Sequence, residues 1–161
     1  MKSVFVTGPG KLEILEVPDP VIGPNDLLVK MMACGICGAD PHSLHDGWVV
    51  PGTPRTALGH EPAGEVVQIG SEVSGAKMGD HIVIDPTGVE DAIIGGGGPQ
   101  GALSELIVIR GAEVDKNFSV VPDHVPWHVA ALAEPLAVAT LSAAPACPVR
   151  ISTWMPQACL R

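Results

Sequence analysis

Glycine and proline interrupt this chain so often that roughly its first 120 residues can hold only short elements. Between the interruptions lie short apolar or alternating runs: SVFVT (3–7), LEILEV (12–17), DLLVKMMA (26–33), GEVVQIG (64–70), DHIVID (80–85) and ALSELIVIR (102–110). Each is bounded by Gly, Pro, Asn or Asp, as strands joined by tight turns are. The 19 Gly and 16 Pro fall mostly in the connections. The spacing predicts a mainly β fold, a small barrel or sandwich. The pattern changes near residue 122, where PDHVPWHVAALAEPLAVATLSAA is rich in Ala and Leu and reads as one or two helices. Pro126 suits a first helical turn, and Pro135 must start a new helix or kink the old one. There are no repeats and no charge blocks.

Charge narrows the function. The net charge of -9, with only 9 Lys and Arg, argues against nucleic acid or an anionic membrane surface as partner. No apolar run approaches the ~20 residues of a membrane span. The start, MKSVFVTGPG, is broken too early by Gly and Pro to be a signal peptide. A chain of 161 residues is long enough for one domain with a core of its own. Its 4 cysteines then read as reduced thiols or metal ligands, and the expected location is cytoplasmic.

Chemistry concentrates in two places. CGICGADPH carries Cys34 and Cys37 as a C-x-x-C, which fits a redox pair, half a zinc knuckle or two buried thiols. The other cysteines, Cys147 and Cys159, are twelve apart, which disfavours a four-cysteine zinc site. No βαβ pattern surrounds the pair, which disfavours a thioredoxin-like role. The second place is LGHEPAG, where His60 and Glu61 sit between Gly59 and Gly64. A catalytic zinc takes about three protein ligands from Cys, His and carboxylate and keeps one position open. Cys37, His60 and a carboxylate could supply that set. Glu134 is a further candidate, because a carboxylate in AALAEPLAVA is costly to bury unpaired. The plainer alternatives are a helix-end glutamate and a turn histidine bonded to backbone.

GHEPAGEVVQIGSEV (59–73) resembles the signature of the zinc-containing alcohol dehydrogenases of the medium-chain dehydrogenase/reductase family. Gly59, His60, Glu61, Gly64, Gly70 and Val73 fill its specified places. GICGADPH, GDHIVIDP, GALSELIVI and VPDHVPWHVAALAEPLAVA resemble further family segments in the family's order, from residue 1 to about 140. The resemblance implies a GroES-like barrel with short helices over residues 1–140. It implies one catalytic zinc on Cys37 and His60, with Glu61 and Glu134 exchanging with water for the remaining positions. Asp40 would hold the ligating imidazole, and His42 matches a position used in proton relay. Cys34 falls outside the ligand positions. The implied substrate is a small alcohol, polyol or amino-alcohol, oxidised with NAD(P) as hydride acceptor.

The chain also departs from that family. Ala39 stands where many members carry a Ser or Thr that passes the alcohol proton outward. PTGVEDAIIGGGGPQGA (86–102) has no cysteine where many members hold a structural zinc, so none is expected. Gly96, Gly98 and Gly101 match G-x-G-x-x-G, but Pro99 interrupts them and a strand-like run follows, so no dipole is there for a pyrophosphate. No Rossmann domain is expected in this chain, and no NAD(P) binding or turnover by it alone. Residues 141–161 lack periodicity and read as a divergent or frameshifted, poorly ordered tail. Uncovered C-terminal helices would favour self-association. The alternative reading is a stand-alone metal-binding or GroES-like interaction module without catalysis.

Overall fold

The computed structural model describes residues 1–47, 54–88 and 93–143. Cys147 and Cys159, and the tail expectation from residue 144 onward, lie outside them. Strands β1 (Lys2–Gly8) and β2 (Lys11–Glu16) form a hairpin, and the short β4 (Thr56–Ala57) pairs with the other edge of β1. The larger sheet has the order β7-β3-β5-β6-β8, from β3 (Leu27–Gly35), β5 (Glu61–Ile69), β6 (His81–Ile84), β7 (Leu106–Ile109) and β8 (Phe118–Val120). Pairing between these strands is antiparallel throughout. Backbone bonds stitch the two sheets together: Val4 N–H donates to Leu103 O (2.9 Å), Leu103 N–H to Leu58 O (3.1 Å) and Glu105 N–H to Lys2 O (3.0 Å). The mainly β expectation holds.

The alternation read from the sequence lays one apolar face inward. Leu27, Val29, Val66, Ile82, Ile84, Ile107, Ile109 and Phe118 form the main core, each nearly or fully buried. A smaller core joins Ala63 and Val83 of the sheet to Ala130 and Ala131. It docks helix α2 (Trp127–Ala130), whose Trp127 ring lies 3.9 Å from the His81 ring. Pro126 precedes α2 as its N-cap, and Pro135 falls in the first turn of α3 (Ala133–Ala143), where a helix needs no N–H. The helical stretch is thus two helices, and α3 runs three residues past the boundary expected at residue 140. No helix among the described residues is long and apolar enough to cross a membrane.

Candidate metal centre

The site lies where β3 ends and β5 begins. β3 delivers Cys37 into the turn before helix α1 (Ala39–Asp46), and β5 opens on Glu61, directly after His60. In the β3–β5 register Gly35 pairs with Glu61 and Cys34 with Pro62, so the two motifs of the sequence meet side by side. One ligand atom each from Cys37, His60 and Glu61 lies within 4.8 Å of the others. Glu61 is 7% exposed, while Cys37 and His60 are half-buried.

Asp40 ties the two segments together. It is 6% exposed, in the first turn of α1, where a carboxylate is favoured by the helix dipole. Its Oδ2 accepts the Cys37 N–H at 3.0 Å, and its own N–H donates to Cys37 O at 3.0 Å. Its Oδ1 takes a longer 3.4 Å bond from the Gly59 N–H. The same Oδ1 stands 3.8 Å from His60 Nδ1, beyond a direct hydrogen bond. Asp40 therefore fixes the backbone of both ligand turns and stands beside the imidazole without bonding it.

Glycines let the His60 turn sit this tightly. Gly59 has φ +88°, and a Cβ there would stand 2.7 Å from Leu103 N and 2.9 Å from Cys34 Sγ. Gly95 packs from the other side, where a Cβ would reach 3.0 Å from His60 Cβ. Gly101 lies against the Leu58 backbone. The Gly95–Gly101 segment is thus spent on packing beneath the site. Gly98 N–H bonds back to Gly95 O and Gly95 N–H to Gln100 O, and no helix follows.

Cys34, Glu134 and His42 are not among the three clustered donors. Cys34 packs against the main core and donates to Gly35 O at 3.2 Å. Burial, above all, pushes its thiol up to about 11, against the backbone N–H groups of Glu61 and His60 that favour the thiolate. It is a protonated thiol at neutral pH. Glu134, half-buried in the first turn of α3, is not among the three clustered ligands. Burial raises its carboxyl above the ordinary range; His60 lowers it, while Glu61 and Asp85 raise it further. His42 is exposed on α1, paired through Nε2 to Asp46 Oδ2 at 3.2 Å, and is not brought into the cluster.

Sequence reasoning gives no part to Asp85, Gly35 or Gly95. Asp85 is buried at the end of β6, and its carboxylate binds the Thr87 N–H and hydroxyl. The glycines act across strands and loops, where a single sequence carries no signal. A cleft of about 510 Å³ between Phe5, Arg55, Gln100 and Arg110 shares no residue with the cluster.

Comparison with known proteins points to one family. Residues 23–118 match the family model of the alcohol dehydrogenase GroES-like domain. The chain is 49% identical over 86 residues to an L-threonine 3-dehydrogenase of Cutibacterium acnes, covering 51% of this chain and 25% of that one. It is 30% identical over 165 residues to a (R,R)-butanediol dehydrogenase of Neisseria gonorrhoeae, covering 86% and 46%. The crystal structure of 2R,3R-butanediol dehydrogenase from Bacillus subtilis superposes with a TM-score of 0.78 at 26% identity, covering 89% of this chain and 47% of that one. The chain spans about half the length of such relatives, or less. With more than half of its residues inside the matched domain, it belongs to the GroES-like domain family of alcohol dehydrogenases.

Proposed function

We propose that this chain is the metal-binding catalytic half of an NAD(P)-dependent alcohol or polyol dehydrogenase, with one zinc held by Cys37, His60 and Glu61. The observation that carries the reading is the convergence of those three donors within 4.8 Å, from two strands joined by Asp40. The donor set of one sulfur, one imidazole and one carboxylate suits zinc with an open position. Relatives named as threonine, sorbitol and butanediol dehydrogenases support a small hydroxyl-bearing substrate. Zinc, when bound, supplies Lewis acidity toward an alcohol oxygen.

The chain's own residues set the conditions. Cys37 and His60 are half-buried and so remain partly accessible to a substrate hydroxyl, while Glu61 is buried. Asp40 holds the two ligand turns at a fixed separation. Glu134 stands nearby with Glu61 and Asp85, a group of carboxylates that a cation stabilises, and serves as the exchanging ligand. Ala39 has no hydroxyl to pass a proton, so the relay uses water or His42, or is impaired. The nicotinamide belongs to the part of longer relatives that this chain does not span. One such relative, a zinc-binding dehydrogenase of Sinorhizobium meliloti, was crystallised bound to NADP. Free Cys34 and Cys37 support a reducing compartment, the cytoplasm. Exposed Leu132, Leu136, Val138 and Leu141 support self-association of the C-terminal helices.

Zinc binding by the full chain tests the ligand set. We expect about one zinc per chain, lost in Cys37→Ser and His60→Ala and kept in Cys34→Ser. Two zinc ions per chain, or loss of zinc in Cys34→Ser, contradicts the assignment.

A further inference from the structure

Glu61 has its place because the neighbouring strand lacks one atom. Gly35 closes β3 directly opposite Glu61, which opens β5. A Cβ on Gly35 would overlap Glu61 Oε2 and stand 2.9 Å from Cδ and 3.1 Å from Cβ of the same side chain. Its three nearest neighbours all belong to Glu61. Gly64, farther along β5, differs: there a Cβ would strike the Lys30 backbone and come 2.6 Å from Val29 Cγ1. Gly64 is therefore required by the sheet, whereas Gly35 is required by one carboxylate.

Two further facts isolate that role. Gly35 is not among the residues with positive φ, so alanine can adopt its backbone conformation. Glu61 is 7% exposed and its backbone is fixed by the strand register, so a displaced carboxylate moves by rotation about its own bonds. Such a rotation shifts the carboxylate from the position at which one of its oxygens lies within 4.8 Å of the Cys37 and His60 donors.

We propose that Gly35 is a positioning residue: the space left by its missing side chain seats the Glu61 carboxylate where it shares a cation with Cys37 and His60. The proposal rests on the zinc reading of that cluster. It also assigns the glycine inside C-x-x-C a function separate from turn formation.

A double-mutant cycle on the full chain tests it, read by zinc competition against a chelating dye and by thermal melting without metal. Gly35→Ala is expected to weaken zinc binding about ten- to a hundredfold, the range for groups that orient a metal ligand. Glu61→Ala is expected to weaken it similarly, and the double variant no further. Without metal, Gly35→Ala is expected to lower the melting temperature, and adding Glu61→Ala to remove that loss. Unchanged affinity in Gly35→Ala, or losses that simply add, overturns the proposal. If Gly35→Ala fails to fold while the double variant folds, the proposal stands; if both fail, it falls. A wild-type chain that binds no zinc overturns the zinc reading, and the metal-free melting cycle then decides on Gly35 alone.

Discussion

At the scale of single residues, buried carboxylates hold the turns of this fold. Asp26 accepts the Gly23 N–H at 2.7 Å, the Gly111 N–H at 3.1 Å and the Arg110 guanidinium. Burial pushes its carboxyl up, but those donors outweigh it and hold it below the ordinary carboxylate range. A depressed folded-state value stabilises the fold above the unfolded value, near pH 4, and that stability is lost as pH falls through the folded value. Asp26→Asn should cost about 2 kcal/mol at pH 7 and flatten the acid limb of the stability curve. Urea unfolding at pH 7 and pH 3 checks this; an equal acid loss in wild type and variant contradicts it. Cys37, His60 and Glu61 are legible in the sequence because each lies in a short local motif. Gly35 is not, because its constraint comes from a residue 26 positions later, across a strand pair.

At the scale of elements, strands with inward-facing alternation are legible and the shortest ones are not. β4 has two residues and β8 three, too few for any period to show. They exist because neighbours hold them: Phe5 and Val6 pair with β4, and Ile82 to Ile84 with β8. The helix α1, ADPHSLHD, escapes for another reason. It is short and polar, its one buried residue is Asp40, and a left-handed Gly47 ends it. Phe118 shows how much a short strand can carry, since it is fully buried in the main core. Phe118→Ala should cost about 3–5 kcal/mol in denaturant unfolding. A loss below about 1 kcal/mol would mean that β8 is peripheral to the core.

At the scale of the whole molecule, the chain forms two antiparallel sheets, the larger one carries the main core, and its strands β3 and β5 deliver the cluster where Gly35 pairs with Glu61. The rest of the fold keeps those strand ends in place: the 101–105 segment binds both sheets, and the Gly95–Gly101 segment fills the space beneath His60. The central claim is that one thiolate, one imidazole and one carboxylate of this chain share a zinc ion. X-ray absorption at the zinc edge, on the full chain loaded with one equivalent, tests it most directly. The expected spectrum has one sulfur at about 2.3 Å and two or three nitrogen or oxygen neighbours at about 2.0–2.2 Å. It should be unchanged in Cys34→Ser, whereas Cys37→Ser should retain no zinc to observe. Two sulfur neighbours, or none, would contradict the claim.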